Sequence, residues 1–182
     1  MNKNNDARVT PSSPFREWAV RTANDTAWGE RLARWIGGVP GGLQLRWKVG
    51  ILKEIPWTPL KRPPAEATVA LVTTGGVHLC ADEPFVLKSD ATFRTIPRTA
   101  TSAELCITHE HYDRRDAARD LNLVFPLQRM LELEAQGIVG RVAGTHYGFG
   151  FVDNPHELLR PGHEVGTMLA QANVDLVVLV PA

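Results

Sequence analysis

The sequence predicts an α/β protein: a three-layer, mainly parallel sheet flanked by helices, preceded by an N-terminal helical arm. Three observations carry this expectation. The β-branched apolar runs "ATVALVTTGG" (67–76) and "DLVVLVPA" (175–182) read as strands covered on both faces. Stretches of helical periodicity separate the strand candidates, the alternation that parallel crossovers require. The first run ends in paired glycines, where a doubly wound domain places a phosphate or ligand loop.

In chain order, residues 1–13 are polar and read as a disordered leader. Phe15, Trp18, Ala19 and Thr22, then Trp28, Leu32 and Trp35, recur at helical spacing until "GGVPGG" (37–42) interrupts them. "LQLRWKVGILKEI" resumes the pattern, so residues 14–54 are read as a helical arm. Its Arg31, Arg34, Arg46, Lys48 and Lys53 stand among Trp28, Trp35 and Trp47. The preferred reading is a packing arm with snorkelling cations; a membrane surface or a partner is the alternative. The proline-punctuated "IPWTPLKRPP" (55–64) opens the main domain, 55–182. Within it the expected elements are the 67–76 strand, a short strand at 104–108, a helix over Pro126–Gln136 and a strand at 138–142. A helix at about 156–172 and the terminal strand complete them.

Composition bounds the function. With 43% apolar and 22% charged residues, the chain reads as a soluble globular protein of about one domain. A net charge of zero argues for neither nucleic acid nor an acidic surface as partner. No apolar stretch approaches the roughly 20 residues of a membrane span. The N-terminus lacks a signal-peptide pattern, and Cys80 and Cys106 fit no redox or zinc spacing. The expectation is a cytoplasmic protein with two packed thiols.

Three polar clusters follow apparent strands. In "TTGGVH", Gly75 and Gly76 permit close backbone approach to an anion, with Thr73, Thr74 and His78 as hydrogen-bonding groups; a plain turn is the competing reading. In "THEHYDRRDAARD", His109, His111 and Asp113 share one face if extended, so they can hold zinc or iron, relay protons, or contact a substrate or subunit. The alternative there is a polar loop with Arg114, Arg115 and Arg119 pairing Asp113, Asp116 and Asp120. In "GTHYGFGF", three glycines surround His146, Tyr147 and Phe149, suggesting a mobile aromatic-lined loop, or else a structural histidine. His156 and His163 are read as capping or surface residues.

The segments "EIPWTPL", "VALVTTGGVHL", "FRTIP", "CITHEHYDRRDAARDLNLVFPLQRM" and "GIVGRVAGTHYGFGF", in this order, resemble the selenoprotein B family of glycine, sarcosine, betaine and D-proline reductases. The resemblance runs from about Glu54 to Ala182; "GFGF" departs from it, a methionine being expected before the last glycine. It implies a subunit for reductive cleavage of a carbon–nitrogen bond in an amino acid or betaine-like substrate, with a dithiol/disulfide couple. In the family a strand like "DLVVLVP" precedes selenocysteine or cysteine. The resemblance therefore implies that the catalytic nucleophile follows Ala182 and that this chain lacks it. A UGA codon read as stop would produce that end; natural truncation and deliberate shortening are the alternatives. No cofactor is expected in this chain. A pyruvoyl group is implied on a partner reductase subunit, with a small amine as substrate. The apolar terminal strand also invites association with other chains, including copies of this one. A non-catalytic binding or scaffold subunit is the second reading. A metal-dependent hydrolase using His109, His111, Asp113 and His146 is the third.

Overall fold

A computed structural model describes residues 58–109, 112 and 114–181. The expected leader (1–13) and helical arm (14–54) lie outside the described residues, as do His111 and Asp113. The fold is mixed α/β. In order it runs β1 (Thr68–Thr73), β2 (Val77–Leu79), β3 (Phe93–Pro97), β4 (Leu105–Ile107), α1 (Arg115–Arg119), α2 (Leu127–Ala135), β5 (Arg141–Val142), β6 (Thr145–Phe149), α3 (Leu159–Gln171) and β7 (Leu176–Val180).

β1 is the centre of the main sheet. Val69–Thr73 pair in parallel with Leu176–Val180 of β7 along one edge. The other edge must therefore hold both remaining partners: β5 against Thr68 and Val69, and β6 against Val72 and Thr73, both parallel. β5 and β6 are thus one strand path interrupted at Ala143 and Gly144. β3 lies antiparallel on the far side of β6. The side chains of β1 alternate between the two faces. Val69 and Leu71 pack with Phe125, Val139, Val142 and, from α2, Leu127 and Met130. Ala70 and Val72 pack with Tyr147, Phe149, Val177 and, from α3, Val165, Met168 and Leu169. The i, i+3, i+4 spacing of the apolar residues in each helix supplies the stripe that covers the sheet.

Both long helices end in the same way. Gly137 (φ 70°) and Asn173 (φ 54°) take left-handed conformations just past α2 and α3. In each case two successive amides return to the last turn: Gly137 N to Glu134 O and Ile138 N to Leu133 O, then Asn173 N to Ala170 O and Val174 N to Leu169 O. These reciprocal bonds are Schellman motifs, and they turn the chain into β5 and β7.

Three expectations need correction. The strands at 67–76, 104–108, 138–142 and the C-terminus all exist, but 105–107 lies outside the parallel sheet. It forms a separate antiparallel pair with β2, and β2 and β3 were not anticipated. β7 is covered only in part: Leu176 and Val178 pack on one core and Val177 on the other, but Leu179 is 72% exposed, and the strand pairs only with β1 among the described residues. The cysteines are not packed thiols. Cys80 and Cys106 form a disulfide, with Cα atoms 5.0 Å apart, joining the residue just past β2 to the middle of β4. Reading the two cysteines by their spacing missed this, because the antiparallel pairing that brings them together is set by sheet topology.

The notch between β5 and β6 is held by charge. Arg98 donates to both carboxylate oxygens of Glu134 (2.9 and 2.6 Å) and to Val142 O (2.9 Å), while Val142 N donates to Glu134 (3.2 Å). The Arg98 guanidinium and these hydrogen bonds hold the Glu134 carboxyl below its ordinary range. The arginine side chain is 36% exposed, which screens the pair. Glu134→Gln is therefore expected to cost only about 1 kcal/mol in urea unfolding at neutral pH. A cost below experimental error would assign the pair no part in holding the notch.

Candidate functional site

The carboxyl ends of β1 and β6 meet the segment that leaves β4. β1 runs on into β2, while the segment leaving β4 leads to α1 and α2 and β6 leads to α3, α2 and α3 lying on opposite faces of the sheet. Gly76 joins all three segments. Its N–H donates to Phe149 O (3.0 Å), and its carbonyl accepts from Thr108 N (2.8 Å). Its φ is 69°, and a Cβ there would overlap the Thr108 carbonyl. Only glycine permits both the turn and the approach.

Of the two readings of the glycine loop, the hydrogen bonds here match the plain turn. Thr74 N donates to Val180 O (3.2 Å), Gly75 N to Thr73 Oγ1 (3.0 Å) and Gly76 N to Phe149 O. All three amides are spent inside the fold, and Thr73 is fully buried. The loop serves as a floor that fixes its neighbours.

His78 stands beneath this floor, 2% exposed, on β2. Its Nδ1 donates to Leu79 O (2.7 Å), and its Nε2 pairs with Thr108 Oγ1 (2.9 Å). Both ring nitrogens are engaged, so His78 orients Thr108 rather than projecting into a crevice. Past Thr108, His109 is buried against the ring of Tyr112 (centroids 4.8 Å apart) and edge-on to Phe151 (5.8 Å). Tyr112 Oη donates to Gly75 O (2.9 Å), tying this segment to the glycine loop a second time. Burial pushes the Tyr112 hydroxyl up to about 12, against the opposing charge of Arg114, so it remains a proton donor at physiological pH.

"THYGF" is a buried strand and not a mobile loop. Gly148 sits in β6 where a Cβ would overlap the Val77 carbonyl, so it admits the start of β2. Tyr147 packs on Phe93 in the α3-side core (5.8 Å between centroids). His146 is fully buried on the other side, with Phe125 edge-on at 6.0 Å. Its Nδ1 accepts the Leu71 N–H (3.0 Å), filling the place that the break between β5 and β6 leaves in the ladder. Its Nε2 has no hydrogen-bond partner among the described residues. Burial, followed by the Arg98 charge, pushes its pKa down from 6.5 to about 4. His146 and Tyr147 thus lie inside the sheet and its core, apart from the residues gathered at the sheet end.

The structure thus gathers Gly75, Gly76, Thr108, His109, Tyr112 and Phe151 at one sheet end, with Thr73 and His78 supporting them. Thr108, Tyr112 and Phe151 were missed from sequence. Tyr112 was signalled only by its place within "THEHYD", between residues that drew attention as metal ligands. Of the ion pairing anticipated in "RRDAARD", the structure shows the exposed Arg119–Asp116 pair (3.2 Å), and Asp120 accepts from Asn122. His156 and His163 are exposed, as expected.

The comparisons with known proteins agree with one another. Residues 53–182 match the family described as glycine/sarcosine/betaine reductase selenoprotein B (GRDB). D-proline reductase subunit gamma of Acetoanaerobium sticklandii is 36% identical over 140 residues, 76% of this chain and 58% of that protein. Sarcosine reductase complex component B subunit beta of Peptoclostridium acidaminophilum is 27% identical over 106 residues, 55% of this chain and 24% of that protein. The chain therefore spans little more than half of the first relative and a quarter of the second. No solved structure matches. Because the family match covers well over half of the residues and includes every segment that builds the sheet end, the chain belongs to the selenoprotein B family of glycine/sarcosine/betaine reductases.

Proposed function

We propose that this chain supplies the substrate-facing floor of a selenoprotein B-type reductase that cleaves a carbon–nitrogen bond reductively. The observation that carries the reading is the assembly of His109, Tyr112 and Phe151 over the Gly75–Gly76 loop, at the carboxyl ends of parallel strands. An aromatic wall with a fixed imidazole suits a small amine or betaine-like substrate, whose cationic nitrogen is drawn to ring faces. The relatives' names point to D-proline and sarcosine as the first substrates to try.

The end of β7 belongs to the same reading. Thr74 N holds Val180 O at 3.2 Å, so a selenocysteine or cysteine following β7 would stand beside the glycine loop. As a selenolate or thiolate it would be the low-pKa nucleophile, and a dithiol would return it to the reduced state. While Cys80 and Cys106 are joined, the described residues hold no free thiol. The pyruvoyl group belongs to a partner subunit in this scheme and none is assigned here. A non-catalytic scaffold subunit is the second reading, favoured by how many of the site's polar groups are already satisfied internally.

The test is His109→Gln and Tyr112→Phe in the chain extended past Ala182 with the cysteine or selenocysteine of this reading and co-expressed with its partner subunits, assayed by substrate-dependent oxidation of a dithiol. For a substrate-facing floor, each variant should retain assembly and lose at least about tenfold in turnover. Unchanged turnover in both would support the scaffold reading and overturn the catalytic one.

A further inference from the structure

We infer that the Cys80–Cys106 disulfide is a thiol–disulfide exchange site, opened by a dithiol, that controls the order of the run from Glu104 to His109. This inference does not depend on the reductase reading. Cys80 is exposed and Cys106 half-buried, so one sulfur of the bond belongs to a residue that solvent reaches. The bond closes a sequence separation of 26 residues and clamps a ladder of only three residue pairs. Two such short strands have little stability of their own.

What the clamp holds is the run from Glu104 to His109. Cys80 N donates to Glu104 O (2.8 Å), and Cys106 stands directly opposite His78 in the ladder. From His78 the contact passes to Thr108 Oγ1, and Thr108 N reaches Gly76 O. Breaking the disulfide leaves the three-pair ladder, these hydrogen bonds and the packing of Leu105 and Ile107 on the core as the remaining ties between β4 and β2, and His109 follows immediately. The exchange balances without any further reactant. One thiolate of the dithiol attacks the Cys80 sulfur, the S–S bond breaks, and Cys106 leaves and takes a proton. The second thiol then displaces Cys80 and closes the reagent's own disulfide. Two electrons and two protons pass to the chain, and an oxidised dithiol reverses the step.

The experiment uses the full chain purified without reductant, then treated with dithiothreitol. Alkylation counted by mass spectrometry reports the thiols, and amide hydrogen exchange reports residues 105–109. The untreated protein should expose no thiol even when denatured. The treated protein should expose two while remaining folded, with exchange over 105–109 at least about tenfold faster and β1 little changed. Reoxidation should restore slow exchange, and Cys80→Ser/Cys106→Ser should match the reduced form. If that double variant fails to fold, reduced wild-type protein carries the comparison. Free thiols in never-reduced protein, a disulfide that yields only on global unfolding, or equal exchange in both forms would each overturn the inference.

Discussion

Gly76→Ala is expected to lower the melting temperature by roughly 10 °C, corresponding to about 3 kcal/mol. Two costs add. An L-residue at φ 69° is strained by about 1 kcal/mol. The new methyl must also displace the Thr108 carbonyl, a backbone group that cannot swing aside as a flexible side chain would. Moving that carbonyl disturbs the Thr108 N–Gly76 O bond and the Phe149 link together, so the sheet end loosens as a unit. Gly144→Ala is the matched control: it faces open space at an exposed position and is expected to stay within about 0.5 kcal/mol of wild type. Calorimetry on both variants decides the matter. A Gly76→Ala protein as stable as the Gly144→Ala protein would show that the three segments do not meet as described.

The contrast between these glycines shows what could be read in the sequence. Paired glycines after an apolar run announced a loop at a strand end, and the loop is there. The sequence did not say whether those glycines leave amides free for a ligand or spend them on neighbours. For Gly76 that depends on Phe149, 73 residues further along, and for the neighbouring Thr74 on Val180, 106 residues further along, whose carbonyls arrive by sheet topology. Long elements with clear periodicity, such as β1, α2 and α3, were legible because burial of one stripe or face dominates their energetics. β2 and β3 were not, being short and interrupted by His78, Arg94 and Pro97, with stability borrowed from pairing partners. The histidines show the same limit. His109 and His146 both precede tyrosine-bearing stretches of similar composition, yet one lines the sheet end and the other replaces a missing rung inside the sheet.

That inner rung makes the second large prediction. The pKa of His146 stands at about 4 in the fold against 6.5 ordinarily, so the folded state resists a proton that the unfolded chain accepts. Above pH of about 6.5 both states are neutral at this residue and its stabilising part is complete. As the pH falls below that value the unfolded chain binds the proton first, and stability declines. The loss levels off near pH 4, where the folded state also takes the proton, and amounts to about 3 kcal/mol. Geometry gives the reason: protonation at Nδ1 would remove the acceptor for Leu71 N–H inside the sheet, and Arg98 opposes the added charge. The carboxylates with depressed pKa values, Asp90, Glu104, Asp120 and Glu134, lose their contributions at lower pH still. His146→Asn separates the two effects, since Oδ1 can accept from Leu71 N–H but does not titrate. Urea unfolding at pH 7 and pH 4.5 should show the wild type losing about 2–3 kcal/mol more than His146→Asn. His146→Phe should likewise lose the pH dependence, but at neutral pH it should cost about 1–3 kcal/mol for the stranded amide. Equal pH dependence in the wild type and His146→Asn would mean that the imidazole is not the neutral acceptor bridging the break between β5 and β6.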